Sequence, residues 1–246
     1  MSAVPKTKDA YGAQMLAHAQ SKGDGHEIVE RDDGLIAIGG LVSNYFAPYR
    51  AWRPIDKQAA RMVRGRVLDV GSGAGRVSLH LQSKGHDVVG IDNSPGAVRL
   101  SRQRGVIDVR ALPFTQISRK LGTFDTVVLF GNNLGLFGRD ERTRWLLRRL
   151  KTICPVGARI IGQTMHPYTT RNPDHLAYHR RNRAAGRPGG LLRLRIRHNR
   201  IVGPWFDYRL FTQNEIRSVV RSTNWSVDQF IGDTKGSYFV VLERQT

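Results

Sequence analysis

The chain of 246 residues has a single cysteine, Cys154. That excludes an internal disulfide and leads us to expect a reducing, cytoplasmic setting. No apolar run approaches the roughly 20 residues needed to cross a bilayer, and the N-terminal stretch has no signal-peptide core, so neither a membrane partner nor export is expected. Acidic residues are scarce: 20 Asp and Glu stand against 39 Lys and Arg, a formal net charge of +19. Such a balance points to nucleic acid, another polyanion or an acidic substrate, or else simply to a solvated basic surface. Metal-ligand patterns are missing too. His175 and His179 are spaced i, i+4 without the acid of an H-E-x-x-H helix, so no metal is expected. The hydrophobic fraction, 40%, is enough for a buried core, and the length suits one large α/β domain or a domain with an insertion.

Around Arg66–Arg76, Val67, Leu68 and Val70 form a short apolar run that reads as a strand buried on both faces. Gly71, Gly73 and Gly75 alternate after it, and apolar residues return from Val77 at helical spacing. Strand, glycine turn and helix make a nucleotide site, because missing Cβ atoms let the backbone approach a ligand. The dinucleotide fingerprint G-x-G-x-x-G/A is lacking: its small third residue would fall at position 76, which is Arg. The pattern is D-x-G-x-G-x-G, with Asp69 two residues ahead of Gly71. This stretch resembles the first motif of the class I S-adenosylmethionine-dependent methyltransferases. The resemblance implies an α/β, Rossmann-like fold: a seven-stranded, mostly parallel sheet with helices on both faces and an antiparallel C-terminal strand pair. It also implies S-adenosyl-L-methionine as cofactor and S-adenosyl-L-homocysteine as product. Gly71, Ser72 and Gly73 would then pass close to the methionyl part and ribose, with Asp69 nearby.

The alternation continues as the resemblance requires. Asp87–Asp92 reads as a second strand ending in an acid 21 positions after Gly71, placed to accept hydrogen bonds from the ribose hydroxyls; Asn93 follows it. A helix over Pro95–Arg104 and a strand over Val106–Arg110 lead to Ala111 and Leu112, where the family places the adenine ring. Many relatives have an acid there; this chain offers only Asp108, inside the strand. Phe124–Phe130 is a fourth strand, ending in Gly131-Asn132-Asn133-Leu134-Gly135. Amino methyltransferases acting on DNA bases carry N/D-P-P-Y/F at this tip. Gly-Asn-Asn is more similar to small-molecule N-methyltransferases of the glycine-methylating group, which puts Gly131 and Asn132 at the cofactor, Asn132 and Asn133 at its junction with the acceptor, and Asn133 among the catalytic candidates. A turn serving only φ > 0 geometry is the alternative. Asp140–Ile153 reads as a helix with Trp145, Leu146, Leu147 and Leu150 inward and a basic outer face. The strand after Pro155, the capping box Thr212–Glu215 with its helix, and strands at Val227–Ile231 and Tyr238–Leu242 complete the pattern.

Two regions lie outside it. Residues 1–64 read as an N-terminal extension and active-site cover, with an amphipathic helix over Ala10–Gln20, stopped by Gly23-Asp24-Gly25, and a hairpin across Arg31-Asp32-Asp33-Gly34. Four aromatics within eight residues, among them Tyr45, Phe46 and Tyr49, wall the substrate site or plug the segment onto the core. Residues 65–246 form the cofactor-binding domain, interrupted at 164–211 by an acceptor-side insertion. His166 and Tyr168, just past the fifth strand, are the candidate bases if the acceptor must lose a proton. A polar loop with His175, Tyr178 and His179 follows, then a strand over Leu191–Arg197 with a partner over Ile201–Leu210. Arg193, Arg195 and Arg197 share one strand face and either bind a carboxylate or phosphate of the acceptor or protect an edge. The expected activity is methyl transfer to a small-molecule N or O acceptor, an anionic one included, by a monomer or homodimer. RNA or other nucleic-acid methylation, or a non-catalytic nucleic-acid-binding protein on the same fold, is the alternative.

Overall fold

Short runs of Val, Ile and Leu, too brief for helices and buried on both sides, build the central sheet of the computed structural model, which describes residues 3–21 and 25–246. The chain opens with α1 (Ala10–Ser21), β1 (His26–Arg31), β2 (Ile36–Leu41) and α2 (Pro54–Ala60). Alternation follows through β3 (Val67–Val70), α3 (Arg76–Ser83), β4 (Val88–Asp92), α4 (Pro95–Gln103), β5 (Asp108–Ala111), β6 (Thr126–Leu129), α5 (Asp140–Lys151) and β7 (Arg159–Met165). Then come α6 (Pro173–Ala184), β8 (Leu191–His198), β9 (Ile201–Val202), β10 (Phe206–Arg209), α7 (Gln213–Val220), β11 (Trp225–Gly232) and β12 (Ser237–Arg244).

The central sheet has seven strands in the order β11-β12-β7-β6-β3-β4-β5. Strands β3 to β7 pair in parallel, and β12 runs antiparallel to both β7 and β11. This is the mixed Rossmann-like sheet expected. Side-chain alternation divides each strand between two cores. Leu68 and Val70 pack with Leu146, Leu150 and Val219 of α5 and α7, whereas Val67 packs with Ala59, Val77 and Leu81 of α2 and α3. Every parallel strand ends on one edge, and chain direction through the sheet reverses between β3 and β6. Ligands of open α/β sheets bind at that point.

A second sheet, β10-β8-β1-β2 with β9 on β8, is antiparallel throughout. The N-terminal hairpin and the insertion, read separately in the sequence, are one sheet because β1 pairs with β8: Glu30 faces Arg195 and Arg31 faces Leu194. Its strands alternate in sequence but gave no sign of this long-range pairing. Helix α1 ties the N-terminal segment to the domain. Asp9 accepts hydrogen bonds from Gly12 N–H in α1 (2.9 Å) and from Gly96 N–H in α4 (2.8 Å), one carboxylate capping two helices. At the crossing, a Cβ on Gly12 would come within 2.7 Å of the Gly96 Cα. The stop expected at Gly23-Asp24-Gly25 lies, but for Gly25, outside the described residues.

Other expectations are corrected. The polar loop after Tyr168 contains α6, opened by Asn172, whose side chain accepts from Asp174 N–H, with Pro173 at the first turn. Trp145 is turned outward, 40% exposed beneath the Arg149 guanidinium, because it lies off the stripe of Leu146, Leu147 and Leu150. The partner of β8 is broken into β9 and β10 around Gly203-Pro204, since proline cannot donate to a ladder.

Candidate active site

The glycine turn sits at the tip of β3. Gly71, Gly73 and Gly75 all have positive φ, and close approach supplies a second reason for two of them. A Cβ on Gly71 would meet Asn133 Nδ2 at 2.4 Å, and one on Gly73 would meet the Tyr11 hydroxyl at 2.8 Å. Asn133 donates to the carbonyls of Val70 (3.1 Å) and Gly71 (2.9 Å), so it ties the β6 tip to the β3 tip. Asp69 turns toward α3 and accepts from the Ser78 hydroxyl at 2.6 Å; burial pushes its carboxyl up to about 6.

Asp92 ends β4 beside the turn. Its Oδ2 accepts Gly73 N–H and its Oδ1 accepts Ser94 N–H, both at 2.9 Å, which leaves acceptor capacity on each oxygen. Burial pushes this carboxyl up to about 6 as well, against the lowering effect of those N–H groups. Asn93 is exposed, and its carbonyl accepts Val4 N–H. Ala111 is exposed at the tip of β5, while Leu112 is half-buried and donates its N–H to the Asp92 carbonyl at 2.9 Å. Asp108 starts β5 and pairs with Arg110, away from that tip.

At the tip of β6, Gly131 N–H donates to the Gln163 side chain (2.7 Å). Asn132 is left-handed (φ 65°), and its Oδ1 is buried without a partner among the described residues, as is the Ser72 Oγ. Two unpaired buried acceptors beside a backbone cradle are what a polar ligand would satisfy. Arg76, at the first turn of α3, adds a cation. Its guanidinium lies 4.5 Å from the Trp52 ring centre and makes neither hydrogen bond nor ion pair with the described residues. Burial lowers its pKa.

The second sheet closes over this edge. Register puts Tyr208 opposite Leu192, on the face away from Arg193, Arg195 and Arg197. The Tyr208 hydroxyl donates to the Asn132 carbonyl (2.6 Å), and its ring lies so close to Gly135 that a Cβ there would come within 2.5 Å. Tyr45 donates to Glu27 Oε2 (3.4 Å) and meets Tyr11 edge-on, ring centres 5.6 Å apart. Burial pushes the Glu27 carboxyl and all three tyrosine hydroxyls up.

The structure therefore brings together Gly71, Ser72, Gly73, Asp92, Asn132, Asn133 and Tyr45, and disperses other expected members. Phe46 packs against His18 and under Arg104, and Tyr49 stacks on His80 at 4.0 Å. Arg193 pairs with Asp207 and Arg195 with Glu30, on the far face of the second sheet; an anion held by them would not reach the glycine turn. His166 is contacted by Tyr168, and Tyr168 packs against His179 of α6 with its hydroxyl against Gly189, so its contacts lead away from the turn. His179 is buried, and burial lowers its pKa to about 4. Tyr11, Glu27, Gln163 and Tyr208 were not foreseen. Tyr11 reads as core beside Met15, and Tyr208 can be placed only once β8 and β10 are paired.

Comparison with known proteins adds similarity of sequence and fold. Residues 67–157, from β3 to the turn before β7, match the profile of the family described as "Methyltransferase domain". A demethylmenaquinone methyltransferase of Renibacterium salmoninarum is 32% identical over 125 residues, 48% of this chain and 49% of that protein. A putative methyltransferase of Bacillus subtilis, YqeM, is 33% identical over 92 residues, 36% of this chain and 37% of its own. The chain thus spans about half or less of the length of these relatives. Among solved structures, an S-adenosylmethionine-dependent methyltransferase from Bacteroides fragilis in complex with S-adenosyl-L-homocysteine superposes with a TM-score of 0.83 at 23% identity, covering 100% of this chain and 98% of that one. A 1,6-didemethyltoxoflavin-N1-methyltransferase from Burkholderia thailandensis, with bound 1,6-didemethyltoxoflavin and S-adenosylhomocysteine, superposes at 0.51 and 17% identity over 78% and 79%.

Proposed function

We propose that this chain, in central domain and fold a class I S-adenosylmethionine-dependent methyltransferase, moves a methyl group from S-adenosylmethionine to a small molecule enclosed between its two sheets. The observation that carries the reading is the acceptor-rich cradle at the β3–β6 switch point, where Asp92 stands beside backbone that approaches as only glycine can. The donor fits the groups present. Asp92 would accept both ribose hydroxyls, the Gly71–Gly73 backbone would lie along the methionyl part, and Arg76, with no ion pair of its own, would hold the methionyl carboxylate. Ala111 and Leu112 would border the adenine.

When bound, the donor supplies an already activated methyl on a sulfonium, so the protein's work is alignment and exclusion of water. Asn133 fixes the two strand tips relative to each other, and Tyr208 pins the Asn132 carbonyl. Residues 1–64 and 164–211 act together as the acceptor-side cover. The didemethyltoxoflavin enzyme and an amino pentose methyltransferase from Micromonospora echinaspora, both with TM-scores of 0.51, act on small molecules by their descriptions and support that acceptor class. The arginines that favoured an anionic acceptor are engaged elsewhere, which removes the support for that refinement.

The net charge of +19 favours a second reading, an RNA acceptor. Incubating the protein with methyl-labelled S-adenosylmethionine and separated cell fractions decides between them. Label should enter the low-molecular-weight fraction. Label in RNA alone would overturn the small-molecule reading.

A further inference from the structure

We propose that Glu27 receives the acceptor, and that the acceptor offers it an amino group; the proposal rests on the donor-site reading above. Glu27 and Glu30 lie on the same strand with opposite surroundings. Glu30, on the outer face, is held by Arg195 in a two-bond pair (2.8 and 2.7 Å) and by Arg197. Glu27 has no ion pair with the described residues; its carboxylate accepts from the Tyr45 hydroxyl at 3.4 Å and lies beside Gly39. A half-buried carboxylate without a cation among the described residues is a costly arrangement, and a cationic ligand would relieve it.

Position decides which ligand. Tyr45 connects Glu27 to Tyr11, whose hydroxyl stands over Gly73, and Tyr208, also near Glu27, donates to the Asn132 carbonyl at the β6 tip. Glu27 and these tyrosines come from the N-terminal segment and the insertion, whereas Asp92, the glycine turn and Arg76 come from the central domain. Glu27 therefore belongs to the cover, across the turn from the groups that fit the donor. Three tyrosine rings and one carboxylate form a site for an amine, through charge pairing and cation–π attraction, and the Glu27 carboxylate repels a carboxylate or phosphate placed beside it.

The chemistry balances. Glu27 takes one proton from the acceptor's ammonium. The freed nitrogen lone pair forms the bond to the methyl carbon as the sulfur–carbon bond breaks, with that electron pair staying on sulfur. The product nitrogen then carries the positive charge that sulfur loses.

The test uses two matched probe series in the presence of S-adenosylmethionine: phenethylamine and tyramine against phenylacetate and 4-hydroxyphenylacetate, with S-adenosylhomocysteine release as readout. The amines should be methylated and the acids should not. Glu27→Gln should lower kcat/KM for the amine by about 30-fold or more, as loss of an enclosed charge partner does. Its affinity for S-adenosylhomocysteine should stay within about twofold, since an acceptor group makes no donor contact. Glu27→Asp should recover part of the turnover, and thermal midpoints identify any variant that fails to fold. Preference for the acids, turnover of neither series, or full activity of Glu27→Gln would overturn the proposal. A fall in S-adenosylhomocysteine affinity equal to the fall in turnover would also overturn it, by putting Glu27 on the donor's own amino group. A wild-type protein that does not bind S-adenosylhomocysteine would instead sink the donor reading beneath it.

Discussion

If Asp92 holds the donor's ribose as proposed, it does so at the expense of the empty fold. Its pKa is raised to about 6 by burial, from an ordinary 3.8. Ribose hydroxyls donate to the ionised form, so donor binding should weaken as pH falls through 6, by about tenfold between pH 7 and pH 5. For the empty protein the sign is reversed. The folded state holds its protons on Asp92 and Asp69 to higher pH than the unfolded chain does, so their contribution to stability declines as pH rises from about 4 to 6. The upward shift in thermal midpoint caused by S-adenosylhomocysteine should therefore be larger at pH 7.5 than at pH 5; a pH-independent shift would remove Asp92 from the donor site. Arg76 is the second test at this scale. With no ion pair to strand, and with Met able to cover the Trp52 ring, Arg76→Met should leave the fold intact and cost about 1.5–3 kcal/mol of donor affinity, read by titration calorimetry.

Elements hold the site together through a few contacts that can be broken singly. Asp9→Ala strips one cap from both α1 and α4 and should destabilise the protein by about 2 kcal/mol in urea unfolding. Gly12→Val would drive a side chain into the α4 backbone and should loosen the cover to a similar degree, about 1–3 kcal/mol. If both variants keep wild-type stability, α1 does not dock as described. Arg209, only 2% exposed, pairs with Asp140 and Glu215 and lies over Phe211, joining β10 to α5 and α7. Arg209→Met should cost about 3 kcal/mol. These contacts also mark where sequence reading stopped. The central sheet was legible because each of its strands is an apolar run followed by a turn signal within a few residues. The second sheet was not, because β1 and β8 are separated by the whole central domain and their alternation names no partner. That missing register hid Tyr208 and misdirected Arg193 and Arg195, whose face is fixed only by pairing with Glu30 and Asp207. Asp92 and the glycine turn needed only local spacing, and Asn133 was found at a strand tip.

Across the whole molecule, two sheets meet at one edge, the central one carrying the groups that fit a donor and the smaller one covering them. No helix among the described residues is long and apolar enough to cross a membrane. Pairs such as Arg195–Glu30 and Arg139–Asp207 are neutral, so the net charge of +19 is carried by the cations left over. Retention on heparin should therefore fall steeply with salt, while RNA should not compete with S-adenosylhomocysteine for the enclosed site. The most direct test of the central claim is calorimetric titration of S-adenosylmethionine and S-adenosylhomocysteine into the wild-type protein and Asp92→Ala, with NAD as control. Binding of the first two to the wild type, lost by about tenfold or more in the variant, with no heat from NAD, is the predicted result. Silence from both, or equal binding to Asp92→Ala, would contradict the account.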